Sequence, residues 1–357
     1  MRGAIEDNKY KTTFSEECRS KAERFLIILL IFRNYLFEVV QIIKNLQKDT
    51  KKYKLSSFSI LYNTLIKYPL LGFQPSAFFM YRLYKNSFTE YLTLFEEVNC
   101  VAKKNKHKPN LLDNKLDFKL HLCDMIRTPK LIAFFDIGTK KISYVTEPNS
   151  IKVVIKPIAG MGGIGIRIVP SKNYKEALQQ NHKKCIVEEF IEQHNLMNAI
   201  FNGSVNTLRV LTLKENNEIT IPSVILRVGR ITTHHVDNIA QGGICIGIDK
   251  DSGTLGKGYT FYEYDHCEYT SHPDTNYKFY RKKIPYFQEA KDLAVTAHKC
   301  FPMFIIVGWD IAITETGPIL IEGNRVPDLS LHQIFAPLKE RLITILQLNM
   351  KKQYKKS

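Results

Sequence analysis

The stretch "IKVVIKPIAGMGGIGIRIV", residues 151–169, decides the fold. It reads as an apolar strand, a loop with four glycines in six residues, and a second strand ending at Pro170. Gly160, Gly162 and Gly165 satisfy G-x-G-x-x-G, a pattern that marks a dinucleotide fold only when a helix follows it. Here Ile166-Arg167-Ile168-Val169 alternates as a strand, so no helix N-terminus is offered and that fold is set aside. What remains is a glycine flap between two antiparallel strands, whose N–H groups can close over phosphates because no side chain blocks the approach. Protein kinases use such a flap, but their lysine lies on a later strand and they carry HRD and DFG motifs. In this chain Lys156 precedes the loop and neither motif occurs. A lysine ending an apolar strand is costly to bury unpaired, and a phosphate oxygen would satisfy it.

Further along, "VGWDIAIT" (307–314) and "PILIEGN" (318–324) form a hairpin that turns at "ETG". Glu322 and Asn324 are two apart on a strand and share a face, with Asp310 on the partner strand. Two carboxylates and an amide oxygen suit Mg²⁺ that is also held by phosphates and water, with Mn²⁺ as the alternative. A second hairpin joins "VNTLRVLTL" (205–213) to "EITIPSVILRVG" (218–229) across "KENNE". Arg209, inside the first of these apolar strands, needs an anionic partner, either a transferred phosphate or substrate carboxylate or a structural acid. Asn206 and "DNIAQGG" (237–243), with Asn238, Gly242 and Gly243, belong to the same constellation. In "CIVEEFI" (185–191), Glu188 or Glu189 follows a buried run and is placed to accept from an adenine amino group. His234, His235 and His266 lack helical metal spacing and are given no metal.

The remaining chain is read around these motifs. "KLIAFF" is a strand. "NKLDFKLHLCDMI", "SKNYKEALQQ" (capped by Ser171) and "DLAVTAHKCF" are helices. Residues 21–48 are helical, and residues 50–100 form several short helices, one starting at Pro75-Ser76. Phe25–Ile43 is strongly apolar, but its clean run, Phe25–Phe32, is too short for a bilayer, so a buried or interfacial helix is expected. Residues 1–20 are a polar leader, unlike a signal peptide. Lys103–Asn110 is a basic linker. The division expected is 1–105 as a helical N-terminal region, 106–345 as the catalytic region and 346–357 as a basic tail. Within the catalytic region a nucleotide-clasping lobe would take about 130–195 and a metal-binding core lobe about 196–345.

Composition narrows the class. Hydrophobic content of 44% and charged content of 24% argue against disorder. The formal charge of +16 suits phosphate-rich ligands or an anionic membrane surface, or reflects a lysine-rich proteome. No nucleic-acid module is present and no nucleic-acid partner is expected. Seven cysteines without C-x-x-C spacing argue for reduced thiols in a cytoplasmic setting, with peripheral membrane contact left open.

In order, "GFQPSAFFMYRLYKNSFTEYL", "NKLDFK", "VVIKPIAGMGGIGI", "IVEEFIEQH", "SVNTLRVLTL", "DNIAQGGICIGID" and "GWDIAITETGPILIEGN" resemble the ATP-grasp superfamily, most nearly its sugar-transfer-associated family, over roughly residues 65–335. The resemblance implies an α+β fold in which two lobes clasp ATP, together with the helical N-terminal region. It implies phosphate contacts from Lys115, Lys156 and the loop glycines Gly160, Gly162, Gly163 and Gly165. Adenine would be held by Glu188 with the backbone of Glu189 and Ile191, and Asn195 stands where an acid often binds ribose. Asp310, Glu322 and Asn324 would hold the metal, and Arg209, with Lys156, would act on the reacting phosphate. Asn114 departs from the family's usual aspartate before the first lysine. The implied activity is a ligase that activates a carboxylate as an acylphosphate for attack by an amine, in cell-surface polysaccharide or sugar-conjugate biosynthesis. Its partners would be small-molecule or sugar-linked carboxylates and amines. Phosphoryl transfer to a hydroxyl, or a non-catalytic nucleotide-binding scaffold, are the alternatives. Loops near Thr232–Asp237 and Tyr259–Tyr277 would choose the substrates.

Overall fold

Among the described residues, twelve strands of two to eleven residues make two antiparallel sheets. The computed structural model describes residues 21–97, 101, 103–106, 111–123, 125–160, 162–216, 218–233, 236–261 and 267–346. The polar leader, the basic tail, Cys18, Cys100, His234, His235 and His266 lie outside the described residues. The chain divides into two units. One comprises residues 1–107, 259–268 and 328–357; the other comprises 108–258 and 269–327. The division falls between residues 107 and 108, and two later segments group with the N-terminal helices.

The first unit is helical and aromatic. A helix over Lys21–Tyr53 is followed by short turns of helix at Ser57–Tyr62, Asn63–Lys67, Tyr68–Leu70 and Ala77–Met80. The helix side chains that pack inward include an acid: Glu38 accepts from the Ser76 N–H at 2.9 Å. Gln333 clasps Leu92 through both of its amide atoms, and Lys339 pairs with Glu96 at 2.7 Å. Among the described residues, no helix is long and apolar enough to cross a membrane.

The second unit holds both sheets. The first runs β2-β1-β5-β3-β4, where β1 is Leu131–Asp136, β2 Lys141–Tyr144, β3 Lys152–Pro157, β4 Arg167–Pro170 and β5 Cys185–Glu189. The edge strand β2, half exposed and only four residues long, has no apolar run that sequence patterning could detect. Ile132, Ala133, Phe135, Val153, Ile155, Cys185 and Val187 form a core under Tyr174 and Leu178 of the helix Tyr174–Gln179. That helix begins after Asn173, and Ser171 does not cap it. Ser171 Oγ instead donates to the Ser150 carbonyl, which fastens the end of β4 beside the start of β3.

The second sheet runs β10-β9-β8-β7-β6-β11-β12. Its strands are β6 Thr207–Glu215, β7 Glu218–Val228, β8 Ile244–Ile248, β9 Leu255–Tyr259, β10 Glu268–Tyr269, β11 Ile306–Thr314 and β12 Gly317–Asn324. Both hairpins expected from sequence, β6–β7 and β11–β12, are present and antiparallel. Because side chains alternate across a strand, one face is apolar apart from Thr212, which accepts from Trp309 Nε1. Leu208, Val210, Leu226, Val228, Ile246, Trp309, Ile311 and Ile313 pack with Ala290, Ala294 and Ala297 of the helix Phe287–Cys300. Those alanines recur at i, i+4 and i+7, a small-residue stripe that lets the helix lie close on the sheet. Behind it, His298 meets Thr212 Oγ1 at 2.7 Å and the Phe304 carbonyl at 3.1 Å, and burial pushes its imidazole pKa down to about 4.

Candidate functional site

The opposite face of the second sheet carries charge. Register fixes which residues share it. Glu322 lies opposite Asp310, Asp310 opposite Arg209, and Thr207 opposite Arg227. The result is a polar row across four strands. Arg209 donates from Nε to Asp310 Oδ1 and from Nη2 to Oδ2 at 3.1 Å. Arg227 donates to Asp310 Oδ2 at 2.8 Å and pairs with Asp237 at 3.3 Å. Thr207 Oγ1 donates to Asp237. Burial alone would raise the Asp310 carboxyl, but Arg209 and Arg227 outweigh it and hold the group well below the usual carboxylate range. Burial pushes the Asp237 carboxyl up, Arg227 opposes this and Asp310 adds to it. Glu322 and Asn324 are half-buried at the end of the row, and Asn324 Nδ2 donates to the Gly308 carbonyl at 3.4 Å.

A second charged cluster is built on the first sheet. Glu188, 1% exposed, pairs with Lys119 at 2.7 Å and with Lys156 at 2.6 Å. Lys119 lies one turn beyond Lys115 on the helix Lys115–His121, which Asn114 caps through Leu116 and Asp117. Asn114 is therefore a helix cap in its own right. Burial would raise the Glu188 carboxyl, yet Lys156 and Lys119 hold it low; burial also lowers the Lys119 ammonium, with Glu188 opposing. The sequence reading gave Glu188 to adenine; the structure places its carboxylate between two ammonium groups. Glu189 accepts from the Asn149 and Ser150 N–H groups and from Ser150 Oγ. Ile191 is buried just past the strand end.

The flap links the two clusters. Lys115 reaches it twice, through its N–H to Ile158 O at 2.9 Å and its Nζ to Gly160 O at 3.0 Å. Gly160, Gly162, Gly163 and Gly165 all have positive φ. Gln241 Nε2 donates to Gly162 O at 3.2 Å. A Cβ on Gly163 would stand 2.2 Å from Val236 Cγ1, so only glycine allows the approach. Val236 precedes Asp237, which pairs with Arg227, which pairs with Asp310. The flap, Lys115, Lys156 and the charged row thus form one contiguous arrangement.

Three partners in it were not singled out from sequence. Lys119 repeats Lys115 at i+4, a spacing that puts both on one helix face. Arg227 follows from the same strand alternation that exposed Arg209. Asp237 sits in a loop and carries no periodic signal. Asn206 turned out to be structural: its amide donates to Met197 O and Phe201 O and closes the helix Asn195–Ile200. The Asn195 N–H donates to Glu315 Oε1 at 2.7 Å.

Among the described residues, no three His, Cys, Asp or Glu side chains are grouped as a metal cage. Asp310, Glu322 and Asn324 offer the donor types that a cation of the Mg²⁺ kind takes, two carboxylates and an amide oxygen, with both Asp310 oxygens already accepting from Arg209 and Arg227.

The profile of the sugar-transfer-associated ATP-grasp family matches residues 176–346, and that of a general ATP-grasp domain matches residues 112–235. The chain belongs to the ATP-grasp superfamily. Within it, this ATP-grasp chain is most like the sugar-transfer-associated family. The α+β architecture of two antiparallel sheets with a helical N-terminal region agrees with that membership. No curated protein matches the chain. Among solved structures it is similar to N5-carboxyaminoimidazole ribonucleotide synthetase from Thermotoga maritima, at 15% identity and TM-score 0.37, covering 67% of this chain and 50% of that one. It is similar to D-alanine–D-alanine ligase from Helicobacter pylori, at 14% identity and TM-score 0.38, covering 66% and 58%. It also resembles N5-carboxyaminoimidazole synthetase from Staphylococcus aureus, solved with ADP, at 14% identity and TM-score 0.39, covering 64% and 51%. The chain spans about half the length of these structures.

Proposed function

We propose that this ATP-grasp protein is an ATP- and Mg²⁺-dependent ligase that activates a carboxylate as an acylphosphate and joins it to an amine. The observation that carries the reading is the contiguity just described: a lysine-led glycine flap pressed on the loop whose Asp237 tethers Arg227 to Asp310. The triphosphate lies under the flap, where main-chain N–H groups, Lys115 and Lys156 meet its oxygens. Glu188 is the counterion that holds Lys156 in position. Adenine lies against the segment from Glu188 to Ile191, and ribose lies toward Asn195 and Glu315. Asp310, Glu322 and Asn324 would hold a divalent cation, which would supply charge neutralisation at the phosphate oxygens. Arg209 and Arg227, already oriented by Asp310, present guanidinium charge where the transferring phosphoryl group develops it. The closed flap excludes water and protects a hydrolysable acylphosphate.

The setting proposed is the synthesis of cell-surface polysaccharide or sugar conjugates, supported by the match to the sugar-transfer-associated family. The substrates are then an amino acid or sugar acid and an amine, free or sugar-linked, and the protein works in the cytoplasm with one side peripheral to a membrane. The test is product formation. With Mg-ATP and candidate acids, ADP release that requires both acid and amine supports the ligase. ADP release accompanied only by phosphorylation of a hydroxyl rejects it in favour of a phosphotransferase.

A further inference from the structure

The outer surface of the N-terminal helical unit is apolar and cationic, the reverse of an ordinary surface helix. On the helix Lys21–Tyr53, the acids Glu38 and Asp49 face inward, 2% and 4% exposed. Leu36, Val40 and Ile43, at i, i+4 and i+7, face outward at 46%, 45% and 54% exposure. Lys44, Lys48 and Lys51 continue the same outward face. A second stripe follows at four-residue spacing: Phe58, Tyr62, Ile66 and Leu70 are 78%, 45%, 50% and 82% exposed. Four-residue spacing drifts by about 40° per step on an α-helix of 3.6 residues per turn. The π-helical stretch Asn63–Lys67 has wider turns and sets that drift back, keeping the stripe on one side. The segments that carry the two stripes are tied together where Tyr35 Oη donates to Leu65 O at 3.2 Å. Residues 50–89 contain no Asp or Glu at all, while Lys51, Lys54 and Lys67 are exposed among them.

We infer that this surface docks on an anionic phospholipid bilayer, lying in the headgroup plane with Leu36, Val40, Ile43, Phe58, Ile66 and Leu70 inserted and the lysines on lipid phosphates. Charge selects this occupant. A second copy of the chain, paired through the same face, would set these lysines against themselves. An anionic interface instead attracts each nearby cation and takes up the apolar side chains in the same contact. The π-helical turns then have a purpose, since a flat interface demands a stripe that does not wind away. The inference concerns the helical unit alone and stands or falls apart from the ligase reading.

The experiment is co-sedimentation of the full chain with phosphatidylcholine vesicles and with vesicles containing about 30 mol% phosphatidylglycerol. Partitioning onto the anionic vesicles is expected to exceed that onto phosphatidylcholine by tenfold or more, and to fall about tenfold when NaCl rises from about 0.1 to about 0.5 M. The double variant Phe58→Ser, Leu70→Ser lowers it by about tenfold. Lys44→Glu with Lys48→Glu, which leaves the apolar stripe untouched, abolishes the preference for anionic lipid. Ile151→Ser, 87% exposed in the other unit, changes nothing. All variants should keep the wild-type circular dichroism, since each replaced side chain is exposed. Equal binding to both vesicle types overturns the inference, as does undiminished binding of the serine double variant. So does a wild-type dimer that the serine double variant turns into monomer while neither binds vesicles.

Discussion

Two buried charge clusters face the flap loop, and they are opposite in balance. On the first sheet a single carboxylate, Glu188, stands between two ammonium groups, Lys119 and Lys156. On the second, two guanidinium groups, Arg209 and Arg227, meet three carboxylates, Asp310, Asp237 and Glu322. Surplus positive charge in a water-poor place calls for an anion, and surplus negative charge calls for a cation. On the reading proposed above, the two clusters take the two halves of a metal–triphosphate. Glu188 and Asp310 differ in what they sacrifice when a partner goes. Glu188 keeps a lysine if the other is lost, whereas both guanidinium groups lean on Asp310 alone or in part.

That difference sets the largest expected effect. Asp310→Asn leaves two buried guanidinium groups undercompensated and is expected to lower stability by about 3 to 5 kcal/mol in urea unfolding and to abolish turnover. Glu322→Gln, half-buried at the row's end, should remove most turnover with little change in the unfolding midpoint. Equal destabilisation by the two would break the comparison, because it would make Glu322 a structural partner.

On the cationic side, Lys156→Met should weaken ATP binding by about a hundredfold while unfolding changes little, since Lys119 still neutralises Glu188. A large loss of stability would show that Lys156 is a structural ion-pair member and no more.

A smaller effect separates the two faces of the second sheet. His298, on the apolar face, has a native pKa of about 4 against an ordinary 6.5. Between those values the unfolded chain binds a proton that the native chain does not, so stability falls as pH falls through this window. From pH 8 to about pH 5, the wild type should lose about 2 kcal/mol more than His298→Gln in paired unfolding curves. Parallel curves would remove His298 as the cause.

The mildest perturbation is Gly163→Ala. It crowds Val236 and strains a positive φ, and should lower kcat/KM by about tenfold. Adding Val236→Ala relieves the crowding and should recover part of the loss; no recovery would detach the flap from the Val236–Asp237 loop.

The site was legible where chemistry coincided with periodicity. Glu322 and Asn324 could be put on one face because side chains alternate along a strand, and the register sets Asp310 opposite Glu322, next to a bulge. Lys156 stood out because a lysine ends an apolar strand before glycines. Lys119 and Arg227 obeyed the same periodic rules but were masked by ordinary surroundings, an amphipathic helix and a second apolar strand. Asp237 could not be read, since a loop residue's partner depends on where the chain returns. Ser171 misled for a related reason: a serine before a helical pattern usually caps it, but here the Ser150 carbonyl competes successfully for its hydroxyl. The strands β8 and β9, with glycines at Gly247, Gly256 and Gly258, were hidden by residues that lower strand propensity.

The most direct test of opposite charge balance is calorimetric titration of ATP with and without Mg²⁺ into wild type, Lys156→Met and Glu322→Gln. The account predicts that Lys156→Met weakens binding by the same factor in both conditions, while Glu322→Gln removes the strengthening that Mg²⁺ brings and leaves metal-free binding intact. Loss of the Mg²⁺ effect in Lys156→Met together with its retention in Glu322→Gln would contradict it.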